Sequence, residues 1–182
     1  MERILISFRR SRLALVFVAA AAASLAQTPP ALTDVQLIRA WLTSDCGLDD
    51  TNNLAQQLIS RARVVEAPLV DALRNGPPAD EVNAVERLAN ERFDKHQSSL
   101  KDANRRIEMK EEDRAAFSGL TREAFVGHER NSFVLGWKEQ AVAGLGLVGG
   151  VQARKALDAV VRDRNSPLRD QATAALNRLT AR

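Results

Sequence analysis

The chain has 182 residues, with 26 lysines and arginines, 23 aspartates and glutamates, one cysteine and no tyrosine. One cysteine excludes an intramolecular disulfide, so packing alone must hold the fold. The net charge of +3 comes from residues 1–26, with four arginines and one glutamate, while the rest holds 22 basic and 22 acidic side chains, a balance that argues against nucleic acid as a partner.

The first predicted element is a secretory signal peptide over residues 1–26. Its arginines precede an apolar run of 14 residues that ends in Ser24-Leu25-Ala26, with small residues at the −3 and −1 positions. That run is shorter than the roughly 20 residues that span a bilayer. We therefore expect export to a bacterial periplasm or to the medium, with membrane contact only through an uncleaved signal segment.

Residues 27–182 are predicted to form one all-helical domain, because apolar–polar alternation of the strand type is nearly missing. An N-terminal helix pair is expected over 33–63. Thr33 and Gln36 have the spacing of a capping box at its start, and a second N-cap is expected around Asp49–Thr51. The predicted inward side chains of this pair are Val35, Ile38, Trp41, Leu42, Leu54, Leu58 and Ile59.

The next segment, 64–96, is predicted to contain two further helices. The first runs from about Glu66 to Arg74 with Pro68 in its first turn, where proline is tolerated. Gly76-Pro77-Pro78 ends it. The second follows those prolines, with predicted inward side chains Val82, Val85, Leu88 and Phe93.

A polar insertion is predicted over 97–120, either as a solvated helix or as a long surface loop between two packed halves. Helical spacing resumes from Thr121 to about Val148, a length that suggests a bend near Asn131. The last two helices are expected at Val151–Asp163 and Pro167–Leu179, with the Ser166 hydroxyl as a cap.

One stretch has the spacing of a dinucleotide-binding loop, since Gly144, Gly146 and Gly149 form G-x-G-x-x-G. The buried strand that should precede such a loop is missing. Moreover, Trp137–Val148 aligns with Leu168–Leu179 at an offset of 31 residues, and the second copy has no glycine. We therefore predict that the first two glycines occupy helix positions and that Gly149-Gly150 ends the helix.

The last copy contains Asp163, Leu168, Arg169, Ala172, Ala175 and Leu176. This spacing resembles a HEAT repeat of the short kind, an antiparallel helix pair of about 30 residues. The resemblance implies that Asp163 lies in the turn between the helices and Arg169 on the second helix, and that stacked copies form a polar ladder. The resemblance is strongest over 132–181. In the copy that precedes the last one, Lys138 stands at the position of the arginine and Ser132 at the position of the aspartate.

A more distant copy is suggested over 64–95, at an offset of 88 residues that aligns Leu69 with Leu157. Asn75 and Glu81 stand at its aspartate and arginine places. The expected architecture is therefore an all-α, short α-solenoid: the N-terminal pair 33–63, a degenerate repeat within 64–96, the insertion 97–120, and HEAT-like repeats over 121–182.

No catalytic, cofactor-binding or metal-ligating residue is predicted. His96 and His128 are 32 positions apart in charged surroundings, unlike the clustered ligands of a metal site. Ser44–Asn53 is rich in oxygen ligands but lacks the spacing of a calcium loop, so a helix cap is the simpler interpretation. Cys46 has no neighbouring histidine in the sequence, and the acidic run Glu111–Asp113 is flanked by basic residues.

The leading functional expectation is an exported helical-repeat protein that binds another protein. One alternative is an enzyme, or an accessory subunit of one, with its site on residues 97–130. Another is a structural component of the cell envelope. The expectation of binding comes from analogy at the level of fold alone.

Overall fold

The computed structural model describes residues 32–44, 50–102, 110–111 and 118–181. The predicted signal peptide lies outside these ranges. Within them the regular structure is entirely α-helical, which confirms the predicted all-α class. The helices are α1 (Asp34–Thr43), α2 (Asp50–Ser60), α3 (Ala62–Asn75), α4 (Ala79–Lys101), α5 (Arg122–Val148), α6 (Val151–Arg162) and α7 (Arg169–Thr180).

Local chemistry explains where several helices begin and end. The Thr33 hydroxyl accepts from the Gln36 N–H and the Gln36 side chain accepts from the Thr33 N–H, so the predicted capping box is present. Thr121 caps α5 through its hydroxyl alone, which accepts from the Ala124 N–H at 3.2 Å. Gly76 and Gly149 end α3 and α5 with φ values of +78° and +70°, a conformation that side chains with a Cβ rarely adopt.

Helix α5 is the central element and has 27 residues, which gives it a length of about 40 Å. It runs unbroken through Asn131 and packs against α1, α2, α3, α4, α6 and α7. Its C-terminal half, from Phe133 onward, lies in the main hydrophobic core. Residues 121–131 therefore form no separate helix to pair with Trp137–Val148, because they continue the same helix.

Instead, the C-terminal half of α5 pairs with α3 in the antiparallel sense. The Lys138 ammonium lies 3.4 Å from the Arg74 carbonyl near the end of α3, while Gly144 faces Leu69, one and a half turns earlier in α3. Helices α6 and α7 form a second antiparallel pair, in which the Arg154 guanidinium donates to the Leu179 carbonyl at 2.8 Å.

The two pairs lie side by side, with α5 against α7 and α3 against α6. The residue numbers of the contacts between α5 and α7 increase in the same direction along both helices. Gln171 forms a hydrogen bond with Glu139 at 3.2 Å, and Ala175 faces Gly146 nearer the C-terminal end of both helices. These two helices are therefore parallel, at nearly the offset of 31 residues at which their sequences align.

Two small residues allow α5 to approach its neighbours closely. A Cβ at Gly146 would lie 2.9 Å from the Ala175 Cβ and 3.2 Å from its Cα, so the backbones of α5 and α7 are almost in contact. A Cβ at Gly144 would lie 2.7 Å from the Trp41 indole nitrogen. That nitrogen donates to the buried Gln140 carbonyl at 2.7 Å, which ties α1 to α5.

The remaining part of the fold is an antiparallel hairpin, here called the arm, formed by α4 and residues 122–131 of α5. Its own small core consists of Ala89, Phe93 and Phe125, with the two phenyl rings 5.9 Å apart. The arm lies in the sequence between the two members of the pair formed by α3 and the C-terminal half of α5. After α3 the chain forms the arm, and the C-terminal half of α5 then packs against α3. Helix α4 ends at Lys101, so the first residues of the predicted insertion, 97–101, are helical.

Several predicted inward side chains are exposed, namely Val35 at 77%, Leu88 at 42% and Ile59 at 38%. Val35 lies about 200° around the helix from Leu37, and Leu37 is fully buried. Leu88 is exposed because α4 packs chiefly on one helix and buries a narrow stripe centred on Ala89.

Two helix starts also differ from the prediction. Helix α3 begins at Ala62, so Pro68 lies inside it rather than in its first turn. Pro68 is on the exposed face, where the loss of one helical hydrogen bond costs less than in a core because solvent can reach the backbone. Helix α7 begins at Arg169 with Leu168 as its N-cap and no side-chain cap, so the predicted start at Pro167 with Ser166 as the cap is wrong. The Ser166 hydroxyl accepts from the Leu168 N–H at 3.3 Å in the turn before the helix.

Candidate functional site

The glycine-rich motif forms no phosphate-binding loop. Gly144 and Gly146 are buried within α5, and Gly149 is its C-cap, with an N–H that bonds the Leu145 carbonyl. Their positions follow from helix packing and helix termination, as the internal repeat predicted.

The two histidines both lie on the arm, but on different helices. His96 is half-buried on α4, and His128 is exposed on α5. The adjacent Glu129 pairs with Arg92 at 3.0 Å. Among the described residues, no three histidine, cysteine, aspartate or glutamate side chains come together as metal ligands. Residues 45–49, which include Cys46, and the acidic residues Glu112 and Asp113 lie outside the described ranges.

Three residues on which the resemblance to a HEAT repeat depends lie in the C-terminal part of the fold: Asp163 after α6, Arg169 at the start of α7 and Lys138 on α5. Asp163 forms the turn between α6 and α7, because its carboxylate accepts from the Asn165 N–H at 3.0 Å and its carbonyl from Ser166. Arg169 is the first residue of α7 and is exposed. Lys138, at the equivalent position of α5, reaches back to the end of α3. Asp163 and Arg169 make no ion pair with each other.

Three arginines of the arm pair with carboxylates of its other helix. Arg92 pairs with Glu129, Arg130 with Glu86 at 3.4 Å, and Arg122 with Asp94. The Arg122 guanidinium also lies 5.0 Å from the centre of the Phe93 ring. Its hydrogen bond holds the pKa of the Asp94 carboxyl below its usual value and raises the pKa of Arg122 itself. These contacts join α4 to residues 122–131 of α5 at matching positions along the two helices.

A different arrangement is found on the outward side of α6, here called the α6 face. A shallow groove of about 380 Å³ is lined by six side chains of this helix: Val151, Arg154, Lys155, Asp158, Ala159 and Arg162. All six are exposed or nearly so, and Val151 is 84% exposed. The opposite side of α6 is buried through Ala153, Ala156 and Leu157.

The α6 face carries uncompensated positive charge. Arg154 donates to a carbonyl on α7, and within the described part of the chain neither Lys155 nor Arg162 has an ion-pair partner. The surrounding region, residues 151–182, contains seven arginines and lysines against three aspartates. Positive potential is therefore concentrated at this end of the molecule, although the chain after residue 26 is neutral overall.

The sequence analysis did not identify the α6 face because it summed the charge over all residues after 26, where basic and acidic side chains balance. The excess of basic over acidic side chains in the last 32 residues could have indicated this face. The side of α6 that stays uncovered, however, depends on how α3 and α7 pack against it.

The comparisons with known proteins give no relative from which a function could be transferred. The chain matches no protein-family model, no curated protein and no solved structure. In the described ranges, no helix is both long enough and apolar enough to cross a bilayer.

Proposed function

We propose that this chain is an exported HEAT-like helical-repeat protein, a short α-solenoid that acts as a protein-binding or scaffold module. Its signal segment is residues 1–26, and its location is the bacterial periplasm or the medium. The proposal rests on the order of basic residues, apolar run and cleavage site in residues 1–26, together with the arrangement of the helix pairs.

The observation that carries the proposal is the parallel contact of α5 with α7 close to the repeat offset. Glu139 contacts Gln171, 32 positions away, and Gly146 contacts Ala175, 29 positions away. Helices of successive units in a solenoid pack in this manner, because each unit covers the apolar face of its neighbour. On this reading the first unit is α3 with the C-terminal half of α5, and the second is α6 with α7.

The insertion of the arm within the first unit supports a binding role over an enzymatic one. Helical-repeat proteins commonly place insertions on one face of the stack, where partners bind. Within residues 97–130, the alternative location for an enzyme site, Arg122 pairs with Asp94 and Glu129 pairs with Arg92, so these two charges are held by other side chains of the arm.

The experiment is affinity capture of the exported, C-terminally tagged protein from its native host after mild cross-linking. The matched control is an unrelated exported protein with the same tag, and N-terminal sequencing of the purified product accompanies it. We expect a start at Gln27 and a defined partner enriched over the control. A product that begins at Met1 contradicts export with cleavage, and capture with no enriched protein contradicts the binding role.

A further inference from the structure

We propose that the α6 face is the docking site for an acidic, amphipathic segment of a partner protein. This inference rests on the proposed binding function and specifies its site and the chemistry of its partner.

The spacing of the groove residues defines the shape of the occupant. They lie at positions 151, 154, 155, 158, 159 and 162, which is one continuous stripe along α6. From Val151 to Arg162 the stripe is about 17 Å long, or three turns of a partner helix laid alongside. A helix bound in this way places residues three and four apart against the groove.

Charge defines the chemistry of the occupant. Lys155 and Arg162 have no ion-pair partner among the described residues, and the α6 face carries three basic side chains against one acidic side chain, Asp158. Carboxylates of a partner would therefore meet an excess of positive charge on this face. Complementary charge of this kind accelerates association and selects the partner.

Apolar contact supplies the second half of the recognition. Val151 is the most exposed large apolar side chain in the described ranges, at 84%. The small side chain of Ala159 leaves a depression between Lys155 and Arg162. A partner side chain such as leucine fits there, against the aliphatic stems of the basic residues. The face has no aromatic side chain on which a nucleic-acid base could stack.

The test uses the full exported chain and a synthetic amphipathic peptide with glutamates on one side and leucines on the other. A peptide of the same pattern with lysine in place of glutamate is the charge control. Binding is followed by fluorescence anisotropy at low and at high salt. We expect the acidic peptide to bind and the basic one not to bind, with affinity that falls as salt rises.

Two charge-reversal variants locate the site. Lys155→Glu with Arg162→Glu removes the positive groove, while Arg87→Glu with Lys95→Glu makes the same net change on exposed positions of the arm. The first should weaken binding by about tenfold or more, and the second should leave it within about twofold. Val151→Ser should weaken it too, with the salt dependence unchanged. If the double glutamate variant loses helicity, the corresponding glutamines replace it.

Several outcomes would overturn the inference: no binding of the acidic peptide, equal loss in both double variants, or preference for anionic phosphatidylglycerol vesicles or for a DNA duplex over the peptide. The capture experiment separates this failure from that of the proposed function. A partner that is still captured by the Lys155→Glu/Arg162→Glu variant moves the site elsewhere and leaves the binding function intact. Capture of nothing by the native chain contradicts the function itself.

Discussion

Replacing Gly146 by alanine tests the close packing of α5 against α7. In an isolated helix, glycine to alanine stabilises by about 1 kcal/mol, because alanine loses less backbone freedom on folding. In this fold the new Cβ would lie 2.9 Å from the Ala175 Cβ and 3.2 Å from its Cα. To relieve this clash the backbone of α7 would have to move away from α5. Overpacking of this kind destabilises a fold by about 1–3 kcal/mol.

The two effects oppose each other, so we expect Gly146→Ala to destabilise the fold by up to about 2 kcal/mol. Gly127 provides a matched control in the same helix, because a Cβ there meets nothing within 4 Å. Gly127→Ala should stabilise by about 1 kcal/mol at most. Urea unfolding followed by far-ultraviolet circular dichroism measures both, and Gly146→Ala should cost less in an Ala175→Gly background than in the native chain.

Equal stabilisation by the two alanine variants would refute the reasoning. It would mean that the surroundings of Gly146 are as open as those of Gly127. The backbones of α5 and α7 would then not approach each other as described.

The other predictions concern single contacts. Glu66→Ala should destabilise the fold by about 1–2 kcal/mol, because the Glu66 carboxylate accepts from the Ala153 N–H at the start of α6 at 2.8 Å; thermal unfolding measures it, and an unchanged midpoint would exclude this cap. Trp41→Phe should cost about 0.5–1.5 kcal/mol through loss of the indole bond to α5, and a neutral result in urea unfolding would contradict that bond. Asp94 contributes stability above its unfolded pKa of about 3.9, and this contribution is lost as pH falls through its lowered folded pKa. Native chain and Asp94→Asn should therefore differ at neutral pH and converge in acid, whereas a constant difference in acid titration would contradict the ion pair.

Local features of this fold could be read from the sequence because their causes are local. The capping box at Thr33 and the helix stop at Gly76 depend on residues within four positions. The helical character of Gly144 and Gly146 could be predicted because the related copy in α7 builds the same helix without glycine. These interpretations needed no knowledge of tertiary contacts.

The remaining features depend on which segments meet in space. The inward direction of Leu37 rather than Val35 follows from the position of α5, and α5 is distant in sequence. The pairing of α3 with the C-terminal half of α5 joins segments more than 60 positions apart, on either side of the arm. The α6 face could not be identified for the same reason, since its spacing alone does not show which side of the helix α3 and α7 cover.

The parallel contact between α5 and α7 is the claim on which the proposed architecture depends, and cross-linking tests it most directly. Gln171→Lys should be joined to Glu139 by a carbodiimide, which couples a carboxylate to an amine in contact with it, since the native side chains at these positions bond at 3.2 Å. Arg178→Lys should not be joined to Glu139, because residue 178 lies about 10 Å farther along α7. Stronger linkage of Glu139 to residue 178 than to residue 171, measured by mass spectrometry of the treated chains, would contradict the parallel stacking of the two helix pairs.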